Sequence, residues 1–159
     1  MNVTPVLRIV LPGDVPGIHA LVSAIYAEYG FALDLEGVDR LLVDPGRYCR
    51  ERGGEFWVLA DGGEIRGTVG LLLPPDVAEL KSLYVHRSIR REGWGGRLTQ
   101  VAMEFARRAG RGCMILWTDT RFVEAHRFYE VLGFSRTGGI RELHDHFNSR
   151  EYGFEKMLD

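Results

Sequence analysis

Leu80-Lys81-Ser82-Leu83-Tyr84-Val85, followed four residues later by the loop Arg90-Arg91-Glu92-Gly93-Trp94-Gly95-Gly96, decides the fold of this chain. The apolar run before the loop reads as a strand. The stretch after it, Arg97 to Ala109, reads as a helix with Leu98, Val101, Ala102 and Phe105 on one face. A basic, glycine-rich turn between a strand and a helix suits an anion. The first N–H groups of a helix have no intrahelical partner, and the helix dipole adds partial positive charge there. Gly93, Gly95 and Gly96 admit unusual torsions and let a ligand approach the backbone. Phosphate or pyrophosphate is the guest such a loop expects.

Two familiar phosphate loops do not fit. A Walker-type loop carries Lys and then Ser or Thr after its last glycine, whereas Arg97-Leu98 follow Gly96. A dinucleotide fingerprint spaces its glycines as Gly-x-Gly-x-x-Gly, whereas here the order is Gly93-x-Gly95-Gly96. What is present is Arg-x-x-Gly-x-Gly, at Arg90, Gly93 and Gly95. Further on, Ala125-His126-Arg127-Phe128-Tyr129-Glu130-Val131-Leu132-Gly133-Phe134 supplies Ala-x-x-x-Tyr-x-x-x-Gly-Phe. These two motifs, in this order with an apolar strand between them, resemble the GNAT family of N-acetyltransferases.

Composition bounds the reading. The chain has 159 residues, 45% of them hydrophobic, and a net charge of −2. That suits one domain, residues 1–159, with a sizeable core. The arginines cluster locally instead of giving a basic excess, which favours a small anionic ligand over nucleic acid. Cys49 and Cys113 form no metal-ligand or CxxC spacing and read as free thiols of a reducing compartment. No signal-peptide pattern or membrane-length apolar run occurs, so the expectation is a soluble, cytoplasmic protein without membrane association. His144-Asp145-His146 lacks an evident third ligand, and no metal is expected there.

Expected elements are a strand over Leu7 to Val10, a helix capped by Asp14 and running to about Tyr29, and a second helix from Leu35 to Val43 ending before Pro45. Strands follow at Glu55 to Ala60 and Ile65 to Leu73, joined by the hairpin turn Asp61-Gly62-Gly63-Glu64. The next strands are Val77 to Val85 and Cys113 to Trp117. The helix of the second motif buries Phe122, Ala125, Phe128, Tyr129 and Leu132, with Gly133 at its C-terminal cap. Phe134 to Leu143 and Glu151 to Leu158 close the chain as an antiparallel pair. The strand-loop-helix-strand unit requires a parallel pairing, and the hairpins require antiparallel ones. The fold class is α/β: a mixed, mostly antiparallel sheet with helices on both faces. The resemblance implies that the sheet is splayed at its parallel pair, between the fourth and fifth strands, with acetyl-CoA wedged in the gap.

The resemblance also assigns roles. Leu83, Tyr84 and Val85 pair their backbone with the pantetheine arm, and the Leu83 N–H polarises the thioester carbonyl. The loop from Arg90 through Arg91, Glu92, Gly93, Trp94, Gly95 and Gly96 to Arg97 holds the pyrophosphate. Ala125 and Phe128 flank the cofactor. Tyr129 donates a proton to the departing sulfur, against the alternative of a core tyrosine with a satisfied hydroxyl. Glu79 stands where the family often carries a carboxylate base, against the alternative of an ion pair with Lys81. Glu79 and Leu83, two alternations apart, are expected on one side of the strand, about 13 Å from each other, so that Glu79 acts through water. Trp94 either packs on a neighbouring turn or offers a flat face to the adenine. Many family members have Asn where this chain has Phe122, so that contact to the pantetheine arm is lost, with Thr118, Asp119 or Thr120 as replacements. The implied reaction is direct transfer from acetyl-CoA to an amine of a small molecule or peptide. A non-catalytic acyl-CoA-binding or sensing module is the alternative, because a fold does not fix a function. Oligomeric state is open, with a homodimer the expectation.

Overall fold

The structure is a computed structural model that describes residues 4–159. Its strands are β1 (Val6–Ile9), β2 (Glu55–Asp61), β3 (Glu64–Leu72), β4 (Ala78–Val85), β5 (Cys113–Asp119), β6 (Ser135–Glu142) and β7 (Arg150–Met157). Its helices are α1 (Val15–Ala27), α2 (Pro45–Arg50), α3 (Trp94–Arg108) and α4 (Val123–Val131). One seven-stranded sheet runs β1-β2-β3-β4-β5-β7-β6. Only β4 and β5 pair in parallel.

Alternation along the strands loads both faces of the sheet. Phe56 and Val58 of β2 pack with Ile18, Leu21, Val22 and Ile25 of α1 and Cys49 of α2. Trp57 of β2, with Ala78 and Leu80 of β4, packs on the opposite face with Leu98, Ala102 and Ala106 of α3. Each face therefore buries a helix stripe, and no side of the sheet's centre is left to water.

The parallel pair is short. Ala78, Glu79 and Leu80 oppose Met114, Ile115 and Leu116, and the register ends there. β5 continues to Asp119 alongside β7, while β4 continues to Val85 alongside β3. Beyond Leu80 the two strands diverge, and the β5-facing edge of β4 has no strand partner among the described residues.

A bulge sits in β4 at the point of divergence. Lys81 opposes Gly70, yet Tyr84 opposes Thr68, so β4 carries one residue more than β3 between them. Ser82 takes a left-handed conformation, φ 52°, and the buried Thr68 hydroxyl donates to the Ser82 carbonyl at 2.7 Å. One extra residue inverts the alternation beyond it. Leu83 and Val85 now join Ala78 and Leu80 on the α3 face, and Tyr84 packs on the α1 face. The expectation that Glu79 and Leu83 share a face fails for this reason. Thr68→Val should lower stability by about 1–2 kcal/mol, the cost of leaving a part-buried carbonyl unbonded. Urea unfolding measures it, and an unchanged midpoint would mean the β3 register holds the bulge unaided.

Four expectations about the helices are corrected. The 35–43 segment is not an α-helix: a turn leads into a 3₁₀ turn at Arg40–Val43. Asp39 causes this, because both its backbone N–H and its Oδ2 engage the backbone of Asp34, at 2.9 Å each, closing a loop no α-helix permits. Pro45, expected as a stop, is a start: Asp44 accepts from the Arg47 N–H and Pro45 occupies the first position of α2. Asp14 occupies the N-cap position of α1 but makes no side-chain capping bond; its carboxylate accepts from the Leu11 N–H and from Arg8. α1 itself ends at Ala27, short of Tyr29. In α4 only Tyr129 is fully buried, and Phe122 lies just ahead of the first turn.

Candidate active site

The divergence of β4 from β5 opens a cleft of about 630 Å³, within the range of small-ligand sites. α3 points its N-terminus into it. Gly93, at φ 84°, precedes the helix, so Trp94, Gly95 and Gly96 form its first turn and not a loop ahead of it. Their N–H groups are those a helix leaves unpaired. Gly95 also sets the spacing to α4: a Cβ there would stand 3.1 Å from the Phe128 ring.

Leu83, Tyr84, Val85, Arg90, Arg91, Gly93, Trp94, Gly95, Gly96, Ala125, Phe128 and Tyr129 all line this cleft. Glu92 and Arg97 do not. Both are exposed, and the Arg97 guanidinium lies 4.3 Å above the buried Trp94 ring. Arg90 is already engaged. It donates to both Glu28 oxygens at 2.9 and 3.1 Å and to the Val85 carbonyl at 3.1 Å. The Arg90 hydrogen bond holds the Glu28 carboxyl below its ordinary range. Arg90 thus ties the end of α1 to the end of β4, while Arg91 lines the cleft beside the N-terminus of α3.

Glu79 is outside the cleft. It borders a separate shallow groove with Arg52, Leu72 and Pro74, and its carboxylate lies 3.6 Å from Lys81 Nζ. A general base must come within hydrogen-bond reach, directly or through one water, of the proton it takes. The ion-pair reading of Glu79 is the one this position favours.

Tyr129 is buried, 7% exposed, and packs edge-on against Phe128 and Phe134. Among the described residues its hydroxyl has no hydrogen-bond partner, and it faces the cleft. Burial raises its pKa above the ordinary phenol value, and a charge on Tyr84 would raise it further. Its hydroxyl therefore stays protonated at any physiological pH. Neither cysteine lines the cleft; burial pushes the Cys49 thiol up to about 12 and also raises Cys113.

On the α1 side lie groups that local patterns did not reveal. Tyr26 donates to Asp39 Oδ1 at 2.7 Å and meets the Tyr84 hydroxyl at 3.1 Å. Phe122, in place of the family's Asn, packs against Tyr29 at 4.6 Å between ring centroids; Phe31 joins them and meets Phe147 at 5.4 Å. Arg121 stacks on Phe31, chelates Asp119 and donates to the Phe147 carbonyl and the Ser149 hydroxyl. Asp119 is thereby occupied, leaving the buried Thr118 as a polar group lining the cleft where the Asn is missing. His146 and Asp145 line the aromatic end, and no metal-holding group of His, Cys, Asp or Glu occurs among the described residues.

A mixed sheet split at its parallel pair, with a glycine-led helix aimed into the split, is the architecture of known acetyltransferases. A GNAT-family acetyltransferase from Staphylococcus aureus Mu50 superposes with a TM-score of 0.85 at 19% identity, over 98% of this chain and 100% of that one. The structure of yncA from Salmonella typhimurium, described as an acetyltransferase with its cofactor acetyl-CoA, superposes with a TM-score of 0.74 at 18% identity, over 99% of this chain and 95% of that one. In sequence, the uncharacterised N-acetyltransferase YjgM of Escherichia coli K12 is 31% identical over 137 residues, 82% of each chain. The acetyltransferase (GNAT) family model matches residues 19–134, and the chain belongs to that family.

Proposed function

We propose that the protein transfers the acetyl group of acetyl-CoA to an amine by direct attack within a ternary complex. The observation that carries this reading is the single cleft joining three features: the unpartnered edge of β4, the N-terminus of α3 and the hydroxyl of Tyr129. Each fits a part of acetyl-CoA. The free β4 edge at Leu83 to Val85 suits an extended amide-bearing arm, which would add there as a strand does. The first turn of α3 suits the pyrophosphate. Bound acetyl-CoA supplies an activated thioester.

The Leu83 N–H is a fixed donor for the negative charge that develops on the thioester oxygen. Tyr129 gives its proton to sulfur as the C–S bond breaks. Direct attack is favoured over an acyl-enzyme because the only thiols are off the cleft, with raised pKa values. The amine enters from the α1 side. There Asp34, Asp39 and Asp145 favour a cationic group, and Tyr29, Phe31, Phe122 and Phe147 favour an apolar neighbour to it.

The test is calorimetry with CoA, followed by thiol release from acetyl-CoA across benzylamine, spermidine, an aminoglycoside and a lysine-containing tripeptide. Tight CoA binding with amine-dependent thiol release is expected. Binding with no release from any acceptor would favour the sensing module, and displacement of CoA by ATP would favour a nucleotide site.

A further inference from the structure

We infer that Tyr84, Tyr26 and Asp39 form the route by which the attacking ammonium loses its proton; the inference rests on the acetyl-transfer reading above. The three come from β4, α1 and the turn before the 3₁₀ segment, and all face the same cleft. Asp39 is only 7% exposed, yet it is a carboxylate with two engaged oxygens: Oδ2 accepts from the Asp34 N–H and Oδ1 from the Tyr26 hydroxyl.

The direction of the chain follows from valence. An ionised carboxylate only accepts. The single proton of Tyr26 is therefore committed to Asp39, and the 3.1 Å contact between the phenols must be donated by Tyr84. Tyr84 is left with its oxygen lone pairs toward the cleft. A phenol normally offers a donor to a ligand, and this one offers an acceptor, which an ammonium N–H requires.

The transfer balances. An N–H bond of the ammonium breaks, and its proton passes to the Tyr84 oxygen. Tyr84 passes its own proton to Tyr26, and Tyr26 passes its own to Asp39 Oδ1. Both phenols end neutral, the carboxylate becomes a carboxylic acid, and the amine keeps its lone pair for attack. The bulge at Ser82 is what makes this arrangement: it turns Tyr84 to the α1 face while Leu83 stays on the α3 face. The acyl-side donor and the amine-side acceptor are thus adjacent residues on opposite sides of one strand.

The surroundings agree. Burial raises the Asp39 carboxyl, against the hydrogen bonds from Asp34 and Tyr26 that lower it, and the facing carboxylates of Asp34 and Asp145 raise it further. That makes Asp39 a stronger base than a surface aspartate. Burial likewise raises Tyr26 and Tyr84, keeping both protonated as carriers. Asp119 and Glu151 near Tyr84 push the same way.

Asp39 also clamps its own turn, so the test must separate clamp from relay. Asp39→Asn keeps an oxygen for the Asp34 N–H, and Tyr26→Phe keeps the ring. For an amine that the wild type acetylates in the panel above, kcat/KM is measured from about pH 6 to about pH 10, approaching the pKa of an alkyl ammonium. Each variant should lose about 100-fold near neutrality, the lower range for a general base, and recover as free amine accumulates. The double variant should be no worse than either single one, because one chain is cut twice. CoA affinity by calorimetry should be unchanged. A loss by the same factor at every pH, additive losses, or no loss would overturn the relay while leaving acetyl transfer intact. Absence of thiol release by the wild type with every amine would overturn the acetyl-transfer reading and the relay together.

Discussion

Gly95→Val is expected to weaken CoA binding by about 100-fold or more, some 2.7 kcal/mol, in a protein that still folds. The position has two demands on it at once. Its N–H belongs to the unpaired first turn of α3, and its missing Cβ lets α3 approach α4, where that atom would meet Phe128 Cζ at 3.1 Å and Cε2 at 3.2 Å. A branched side chain must push the ring or the helix start aside, at about 1–3 kcal/mol for overpacking. Either movement re-aims the N–H groups facing the cleft. Gly96→Ala is the matched control, since a Cβ there meets nothing within 4 Å and Ala gains up to about 1 kcal/mol in helix propensity. Calorimetry should find the control close to wild type in CoA affinity and no less stable. Equal affinity for both variants would remove the α3 N-terminus from the cofactor site.

The split sheet and the glycine-led helix were legible because their signals are local. Arg90, Gly93 and Gly95 sit within six residues, and Ala125, Tyr129, Gly133 and Phe134 within ten. The Gly133 stop is equally local: it takes φ 96°, and the Phe134 N–H returns to the Tyr129 carbonyl. What failed depended on partners far along the chain. The Ser82 bulge is set by Thr68, fourteen residues earlier on the neighbouring strand. Nothing in Lys81-Ser82-Leu83 announces it, and counting by twos therefore put Glu79 on the wrong side relative to Leu83. Asp39 lay inside the segment expected to be a helix, but its bonds to Asp34 close a turn there instead. Tyr26 belongs to no motif and lies on a helix whose buried stripe is Ile18, Leu21, Val22 and Ile25. The Tyr84–Tyr26–Asp39 chain joins positions 58 and 13 residues apart, a relation that no local motif encodes.

The bulge also explains why Tyr84 and Tyr129 stand in different settings within the cleft. Beyond Ser82 the strand presents Tyr84 to the α1 face, whose core includes Ile25, and Leu83 to the α3 face, whose core includes Tyr129. Tyr84 is bonded and offers lone pairs. Tyr129 has no partner among the described residues and offers a proton. In the proposed mechanism the two sides of β4 would thus divide the reaction between taking a proton from nitrogen and giving one to sulfur.

Tyr129→Phe tests the second half. Removing the hydroxyl should lower kcat by about 100-fold or more, the contribution typical of a positioned acid, with CoA affinity nearly unchanged, because the ring contacts with Phe128, Phe134 and Phe154 remain. Folding at neutral pH should not weaken, since no hydrogen bond among the described residues is lost. The alkaline range gives an independent readout. Tyr26, Tyr84 and Tyr129 all have folded pKa values raised by burial above the ordinary phenol value of about 10. Below that value both the folded and the unfolded chain hold these protons, and the stability they contribute is fully present. Above it the unfolded chain releases protons that the folded chain keeps, so stability falls as pH rises toward the folded values. Tyr129→Phe deletes one of the three groups and should flatten that decline in urea titrations above about pH 10. A variant with wild-type kcat and the flattened decline would leave Tyr129 a buried packing residue. A variant with lowered kcat and the same flattening is the result that makes its hydroxyl the acid for the departing thiolate.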